Sequence, residues 1–517
     1  MTEVSLPLKI EQNARSHGET VAIKCGDQIC TWSDFERRTR RVAMALADLG
    51  CGPGTRVAIL AGSSINYIVV FVGILRSGAS AVPLPGLASH KTLAHMLVDS
   101  GATAIFVSSE LHALAEQVLT GNERISITGR IGIDFIEPRW SNLECLVSAV
   151  NSSTVLPTIS PDQEFNLIYS SGTTGTPKGI IHSHQLRTAQ MAASELAGID
   201  GNAVTLISTA LYANWSLFGL FSALYGGGTT VLLPRFDTRQ CLHLFAHEGI
   251  THAFLVPVQL TRLLAEPDFD QHVRGTETLK LCAGSPLPVS TKREVLRRWP
   301  GGLAENYGLT EGAPTTLLFA HLHPEKLESV GPVTPGGELR IINDSGHELA
   351  TGQTGEVVGR TAAMMEGYFN RADLTAELEW FDESGQRYFR SGDYGYLDSD
   401  GFLYLMGRKK DVIISGGMNI YASDIEEVLL RHPEVDEAAV IGIPSEQWGE
   451  TPLALVVIRQ NGAIGQTALR DWVNSRLGKT QRVSVLEFRE SLPRGTLDKV
   501  LKNELRNPYW VVNGASK

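Results

Sequence analysis

A glycine-rich segment between Tyr169 and Gly179 contains the residue types that bind a polyphosphate. Glycines let backbone N–H groups point into one concavity, hydroxyls add hydrogen-bond donors, and a lysine adds a positive charge. The segment follows an apolar run, residues 165–169, that is typical of a strand. The predicted phosphate-binding residues are Ser170, Ser171, Gly172, Thr173, Thr174, Gly175, Thr176 and Lys178.

Two residues distinguish this segment from a Walker-type phosphate loop. That loop has glycine directly before its lysine and serine or threonine directly after it. Here Pro177 and Gly179 occupy those places. A flexible surface turn is the alternative interpretation, because glycine and threonine are also turn residues.

A second polar group follows at residues 306–311, with the sequence Asn-Tyr-Gly-Leu-Thr-Glu. Tyr307 offers a flat aromatic face, Thr310 a short hydrogen-bond donor, and Glu311 a hard oxygen ligand for a metal ion. Alternatively, Thr310 is the N-cap of a helix.

Two further turns have residues suited to a nucleotide. One lies after an apolar strand, in the sequence Ala283-Gly284-Ser285. The other is Ser391-Gly392-Asp393, where the carboxylate could accept hydrogen bonds from two hydroxyls at once. Ordinary solvated turns are the alternative for both.

Together these segments resemble the motifs of the adenylate-forming superfamily, which includes acyl-CoA synthetases, non-ribosomal peptide synthetase adenylation domains and luciferases. The resemblance extends from about Thr31 to about Leu505. It implies that the loop binds ATP and AMP, that Thr310 meets the α-phosphate, and that Glu311 binds magnesium. It also implies a nucleotide site formed by Gly284, Ser285, Asn306, Tyr307, Gly308, Asp393 and Arg408, with Tyr307 near adenine and Asp393 on the ribose hydroxyls.

The resemblance assigns further roles near the end of the chain. Lys410 occupies the hinge position, where many relatives have aspartate. Gly416 and Gly417 match the loop that lets pantetheine pass in the second half-reaction. Lys499 matches the catalytic lysine that contacts the carboxylate and ATP, although Asp498 before it departs from the common pattern.

The acyl pocket shows the weakest match. Where the family commonly has Pro-x-Phe-His, residues 210–215 are Ala-Leu-Tyr-Ala-Asn-Trp, so the gating histidine is lost. The predicted pocket-lining residues are Tyr212, Asn214, Trp215 and Ala283. Alternatively, Trp215 and Phe218 are core residues on one helix face.

Alternating helical and apolar segments must position these residues. They predict an α/β fold in which helices cover parallel sheets. The predicted strands include residues 56–60, 79–84, 104–107, 229–233, 251–256 and 278–282. Residues 33–36 match a capping box, which predicts that a helix begins at Ser33 and continues to Gly50.

The pattern of apolar and turn residues changes twice after these segments. Short strands and glycine turns indicate a β-rich subdomain at about residues 338–407, and an α+β pattern follows. We therefore predict an N-terminal domain of residues 1–407 and a small mobile C-terminal domain of residues 408–517, with the hinge near residues 408–411.

Composition excludes several function classes. The net charge of −11 argues against a nucleic-acid surface. The six cysteines are scattered, as is typical of reduced thiols, and the N-terminus lacks a signal-peptide pattern. No apolar run is long enough for a bilayer span. We therefore expect a cytoplasmic protein without an integral membrane segment.

The predicted function follows from the chemistry of carboxylates, which are poor electrophiles until they are converted to acyl-adenylates. We predict an AMP- and pyrophosphate-forming carboxylic acid:CoA ligase for a fatty or aromatic acid, which uses ATP, Mg²⁺ and coenzyme A. One alternative is a stand-alone enzyme that loads the phosphopantetheine thiol of a carrier protein. Another is a nucleotide-binding sensor without chemistry. A luciferase-like second step has no signature in the chain. Whether the protein forms a homodimer is left open by the sequence.

Overall fold

The computed structural model describes residues 4–150, 154–170, 177–415, 418–460, 462–478, 481–494 and 500–511. The chain divides into two compact units. The first unit comprises Met1–Leu327, Thr334–Gly337 and Arg360–Glu379. The second comprises Glu328–Val333, Glu338–Gly359 and Trp380–Lys517.

The first part of the chain alternates helices with short strands. Its elements are α1 (Leu6–His17), β1 (Val21–Cys25), β2 (Gln28–Thr31), α2 (Trp32–Asp48), β3 (Arg56–Leu60), α3 (Ile65–Arg76), β4 (Ser80–Pro83), α4 (His90–Ser100), β5 (Ala104–Val107), α5 (His112–Thr120), β6 (Gly129–Gly132), β7 (Ser141–Asn142) and α6 (Leu143–Ser148).

The start of α2 corrects one prediction. Thr31, not Ser33, is the N-cap, and its hydroxyl accepts a hydrogen bond from the backbone N–H of Asp34 at 3.2 Å. The predicted capping box is therefore wrong by two residues. The reason is that β2 ends at Thr31, so the helix begins immediately after the strand.

The alternation continues through the next part of the chain. Its elements are β8 (Glu164–Ser170), β9 (Lys178–Ser183), α7 (His184–Ala193), β10 (Val204–Ile207), α8 (Asn214–Gly226), β11 (Thr229–Leu232), α9 (Thr238–His247), β12 (His252–Leu255), α10 (Pro257–Leu264), α11 (Phe269–His272), β13 (Leu279–Cys282), α12 (Val289–Arg298), β14 (Leu303–Gly308) and β15 (Thr315–Phe319).

Two sheets organise the first unit. Within the described residues, one sheet has the strand order β7-β6-β5-β3-β4-β8-β9, and the other has the order β15-β14-β13-β12-β10-β11-β1-β2. Neighbouring strands are parallel except where β9, β15 and β2 pair at the edges. The predicted fold class, helix-covered parallel sheets, is confirmed.

The core of the first unit joins these two sheets. Helices α3 and α8 are apolar around most of their circumference and pack in it. Phe71 on α3 lies 6.2 Å from Phe165 on β8 and 5.2 Å from Phe221 on α8, measured between ring centroids. This packing fixes α8, whose first residue is Asn214.

The remaining elements belong mainly to the second unit. They are β16 (Glu338–Ile342), β17 (Gly355–Arg360), α13 (Ala372–Leu378), β18 (Glu379–Phe381), β19 (Arg387–Leu397), β20 (Leu403–Arg408), β21 (Ile413–Ser415), β22 (Met418–Ile420), α14 (Ala422–Leu430), β23 (Val435–Ser445), β24 (Gly449–Ile458), α15 (Gln466–Asn474), β25 (Val485–Phe488) and α16 (Lys502–Val511).

Within the part of the chain that the structure describes, these strands form two smaller sheets. One contains β16 to β20, which form the predicted β-rich segment, and the other has the order β22-β21-β24-β23 with β25 beside β24. Most of the β16–β20 sheet lies in the second unit. The position of the mobile-domain boundary near residue 408 stays a prediction. Among the described helices, none has the length and apolar character needed to cross a membrane.

Candidate active site

The β8–β9 hairpin carries the predicted phosphate loop. The two strands are antiparallel, and Ser170 at the end of β8 stands opposite Lys178 at the start of β9. Residues 171–176, which include six of the predicted phosphate-binding residues, lie outside the described residues. The loop follows the carboxyl end of β8, which is where α/β sheets commonly bind ligands.

Tyr368 connects the lysine of this hairpin to Glu311. The Lys178 Nζ lies 5.0 Å from the centroid of the Tyr368 ring, and the Tyr368 hydroxyl donates a hydrogen bond to Glu311 Oε1 at 2.6 Å. Burial and the neighbouring carboxylate both raise the pKa of Tyr368, so its hydroxyl stays protonated. Tyr368 therefore orients the carboxylate that the sequence predicts as the metal ligand.

Backbone hydrogen bonds hold the chain at Glu311 and next to Tyr368. The Glu311 carbonyl accepts a hydrogen bond from the N–H of Met365 at 2.9 Å, and Phe369 N–H donates to the carbonyl of Gly179 at 2.8 Å. Gly312 has a φ of +93°, and a Cβ there would lie 1.8 Å from the Ala363 carbonyl oxygen. Only glycine fits this close approach.

Thr310 lies in a turn and does not begin a helix, so the alternative interpretation as an N-cap is wrong. Its carbonyl oxygen is 2.7 Å from Nε2 of the buried His182 on β9. Within the described part of the chain, nothing donates to or accepts from the Thr310 hydroxyl. That hydroxyl is therefore available to a phosphate oxygen.

The carboxylate of Glu311 suits the way in which proteins bind magnesium. Glu311 is partly exposed, and no donor among the described residues reaches its second oxygen, Oε2. The described residues also contain no group of three or more His, Cys, Asp or Glu arranged to hold a metal. Magnesium usually binds through one or two carboxylates, with water and phosphate oxygens as its other ligands. A single carboxylate with a free oxygen fits that pattern.

The predicted adenine-side residues follow two neighbouring parallel strands. Ala283, Gly284 and Ser285 come directly after β13, and Asn306, Tyr307 and Gly308 end β14. Gly284 has a φ of +100°, which favours glycine. Both groups therefore lie at one carboxyl edge of the sheet.

A buried ion pair supports the 283–287 loop. Lys292 on α12 and Glu305 on β14 contact each other, with side chains 3% and 6% exposed. The Leu287 N–H donates to Glu305 Oε1 at 3.4 Å, and Lys292 Nζ donates to the Leu327 carbonyl at 2.7 Å. Removal of one partner from a buried pair commonly costs about 3–5 kcal/mol, so we expect this pair to be needed for the loop conformation.

The predicted acyl-pocket residues lie at the same carboxyl edge. Tyr212 is in the loop after β10, and α8 begins with Asn214 and Trp215. The Trp215 Nε1–H donates to the carbonyl of Leu255, the last residue of β12, at 3.0 Å. The indole is partly exposed and also packs on Phe254, 5.0 Å away between centroids. Trp215 thus packs against the core, and its role in the acyl pocket stays a prediction.

The second unit contains the predicted ribose-binding pair. Asp393 on β19 stands opposite Arg408 on β20, and Arg408 Nε lies 2.7 Å from Asp393 Oδ1. The Asp393 side chain is only 8% exposed. The ion pair holds the carboxylate in one orientation, which suits recognition of two hydroxyls.

Lys410, the predicted hinge residue, lies in a short 3₁₀ turn, Lys409–Asp411. Burial lowers the pKa of Lys410. Its neighbours are anchored by ion pairs, Lys409 with Glu356 at 3.0 Å and Asp411 with Arg506 at 2.9 Å. The predicted thiol-channel residues Gly416 and Gly417 and the predicted catalytic Lys499 lie outside the described residues.

Family models match most of this chain. Residues 10–369 match the AMP-binding enzyme model, and residues 424–499 match the model of the AMP-binding enzyme C-terminal domain. The chain belongs to the AMP-binding enzyme family. This membership confirms the resemblance to the adenylate-forming superfamily that the motifs indicate.

Several characterised proteins are similar to this AMP-binding enzyme along nearly their whole length. Fatty acid–[acyl-carrier-protein] ligase ScoC of Streptomyces coeruleorubidus is 31% identical, with 96% of this chain and 95% of ScoC covered. Feruloyl-CoA synthase of an Amycolatopsis species is also 31% identical, with 96% and 98% covered. The structure of o-succinylbenzoate CoA synthetase (MenE) from Bacillus subtilis with the acyl-adenylate OSB-AMP has a TM-score of 0.84, 28% identity and 98% coverage of both chains.

Sequence reasoning missed several residues around this AMP-binding enzyme's predicted site. Tyr368 is distant in sequence from Glu311, and no periodic pattern identifies it. Asn166 and His182 carry a readable signal, because each is a polar residue inside an apolar strand and both are buried.

Proposed function

We propose that this protein is an ATP-dependent carboxylic acid:CoA ligase that acts through an acyl-adenylate. The observation that carries the proposal is the arrangement of Lys178, Tyr368 and Glu311 beside the glycine-rich loop, in a chain that belongs to the AMP-binding enzyme family. This arrangement places a cation and an oriented carboxylate at the end of the β8–β9 hairpin, which carries the predicted phosphate loop.

In the first half-reaction, a carboxylate oxygen of the acid attacks the α-phosphorus of ATP. The bond to the pyrophosphate oxygen breaks, and acyl-adenylate and pyrophosphate form. We assign Lys178 and the loop N–H groups to the outer phosphates, and the Thr310 hydroxyl to the α-phosphate. Lys499 is the proposed cation for the carboxylate and the α-phosphate. Such fixed charges stabilise the negative charge that develops in the transition state.

Magnesium, when bound, supplies positive charge to the phosphate oxygens, and Glu311 is the residue we assign to hold it. Tyr368 donates to Oε1 of Glu311 and leaves Oε2 without a donor among the described residues. On the nucleotide, we assign Asp393 to the ribose hydroxyls and the flat face of Tyr307 to the adenine.

In the second half-reaction, the thiol sulfur attacks the acyl carbon. The bond from that carbon to the phosphate oxygen breaks, AMP leaves, and the thiol proton passes to solvent. Coenzyme A is the proposed thiol, in agreement with the activity that the name of the feruloyl-CoA synthase states. A carrier-protein thiol is the second candidate, because ScoC, an equally similar relative, is named as an acyl-carrier-protein ligase.

A panel of fatty and aromatic acids, scored by pyrophosphate release, tests this proposal. We expect acid-dependent release of pyrophosphate, and an acyl-CoA product when coenzyme A is added. If the acyl-adenylate accumulates with coenzyme A but is consumed with a phosphopantetheinylated carrier protein, the carrier-loading function is correct instead. If no acid stimulates pyrophosphate release, the ligase proposal fails and the alternative of a nucleotide-binding sensor is supported.

A cytoplasmic location is part of the same proposal. It is supported by the cysteines, since all six are free thiols. Free thiols persist in a reducing compartment.

A further inference from the structure

A buried arginine contacts Asn214, one of the predicted acyl-pocket residues. Arg187 on α7 is 1% exposed, and all of its described acceptors are amide oxygens. Its Nε donates to Asn166 Oδ1 at 3.0 Å, one terminal nitrogen to Gln190 Oε1 at 3.0 Å, and the other to Asn214 Oδ1 at 2.9 Å. No carboxylate among the described residues forms an ion pair with it. Besides these neutral oxygens, the cation lies over the rings of Phe165 and Phe221, 5.9 and 5.6 Å from their centroids.

This arginine fixes the orientation of the Asn214 amide. A guanidinium group donates hydrogen bonds and accepts none, so the oxygen of Asn214 must face it. The NH₂ group of Asn214 consequently points away from Arg187. No described residue accepts a hydrogen bond from that NH₂ group, and Asn214 is only partly buried. The positive charge behind the amide also strengthens it as a donor.

The donor stands where the acyl group is proposed to bind. Asn214 is the first residue of α8, and the next residue, Trp215, contacts the carboxyl end of β12. The neighbouring Ala213 stands within the segment where the family commonly has its gating histidine. The segment that lacks the gating histidine is therefore followed by a fixed amide donor. Its NH₂ group has no acceptor among the described residues.

We infer that the preferred acid carries an oxygen acceptor on its acyl part, a hydroxyl, carbonyl or second carboxylate, which binds the NH₂ group of Asn214. This inference rests on the proposed ligase function. It extends that function by naming the substrate class: oxygen-substituted acids rather than plain alkyl or unsubstituted aryl acids.

The same arginine also holds the phosphate side of the site, so it is unsuitable as the residue to change. Asn166, whose oxygen faces Arg187, directs its NH₂ group to His182 Nδ1 at 3.1 Å. His182 then donates from Nε2 to the Thr310 carbonyl at 2.7 Å. Substitution of Arg187 would disturb Thr310 as well as Asn214, whereas Asn214→Asp keeps an acceptor for Arg187 and leaves its hydrogen bond to Asn166 in place.

The test compares matched acids in wild-type and Asn214 variants. Hexanoate is compared with its ω-hydroxy derivative and with adipate, and cinnamate with para-hydroxycinnamate, by acid-dependent pyrophosphate exchange. In the wild type we expect kcat/KM to be about tenfold higher for the acceptor-bearing acid in at least one series, the size expected for one hydrogen bond. Comparison of adipate with the ω-hydroxy acid shows whether the site prefers an anionic acceptor or a neutral one.

Two substitutions remove the donor in different ways. Asn214→Leu should reduce the preference to about twofold or less. Asn214→Asp keeps an acceptor for Arg187 and nearly the same shape, but it replaces the NH₂ group with an oxygen. The value of kcat/KM should therefore fall most for adipate. Asn214→Asp decides the matter if the leucine variant fails to fold. Asn202→Asp, the same change at an exposed asparagine, should leave every ratio unchanged.

The outcomes distinguish this inference from the proposed function. If acids are activated but the wild type shows no preference for acceptors, or the preference survives both Asn214 substitutions, the inference is overturned and the ligase function stands. If no acid supports exchange, the ligase function is overturned and the inference with it.

Discussion

Glu311→Gln is expected to slow acyl-adenylate formation at least about 100-fold, the size typical for loss of one group that stabilises transition-state charge. The substitution keeps the size of the side chain and an oxygen that can accept from Tyr368. It removes the negative charge with which, in our proposal, Glu311 binds magnesium. Pyrophosphate exchange at limiting magnesium should show the defect most clearly, because a weaker metal site requires a higher magnesium concentration.

Two control variants separate the role of this charge from other effects. Glu123→Gln removes the same charge from an exposed residue and should leave exchange unchanged. Tyr368→Phe removes only the hydroxyl that orients Glu311. It should lower exchange by about tenfold, as expected for one hydrogen bond to a charged group. Near-normal exchange by Glu311→Gln at limiting magnesium would remove Glu311 from the site.

Lys499→Ala and Gly417→Leu are expected to damage opposite half-reactions. The C-terminal domain that we predict, residues 408–517, would contain both the proposed adenylation lysine and the proposed pantetheine loop. We propose that they reach the acyl group in turn, by rotation about Lys410, a hinge motion of the kind seen in domain closure. Lys499→Ala should lower adenylate formation by about 100- to 1,000-fold, since it removes a cation from the transition state. It should leave thioester formation from supplied acyl-adenylate largely intact.

The glycine variant should show the reverse pattern. A leucine side chain at residue 417 would obstruct the approach of pantetheine, but it changes nothing that we assign to ATP. Measuring pyrophosphate exchange and thioester formation separately in both variants tests the alternation. Equal slowing of the two half-reactions in each variant would show that the assignment to separate steps is wrong.

The local pattern of the sequence predicts much of the fold. Short apolar runs between turn residues predict strands β3 and β5 with the bounds that the structure has. The start of α2 is missed because the capping pattern at residues 33–36 lies inside the helix, and only the end of β2 decides that Thr31 is the N-cap.

The candidate site is predictable only where its residues form a motif. The turn with Thr310 and Glu311, and the pair of Asp393 and Arg408, come from recognisable segments. Tyr368 and Arg187 do not, because their roles depend on contacts with residues far away in the sequence. Buried polar contacts of this kind arise from tertiary packing, which no local pattern encodes.

The most direct test of the acyl-adenylate mechanism follows the carboxylate oxygen. The acid is labelled with oxygen-18 in its carboxylate, and the products are analysed by mass spectrometry after thioester formation. In the proposed mechanism, the attacking oxygen stays on the α-phosphorus when the thiol displaces AMP. One labelled oxygen is therefore expected in AMP for each thioester formed. Label in inorganic phosphate, or AMP that contains no label, would contradict the mechanism.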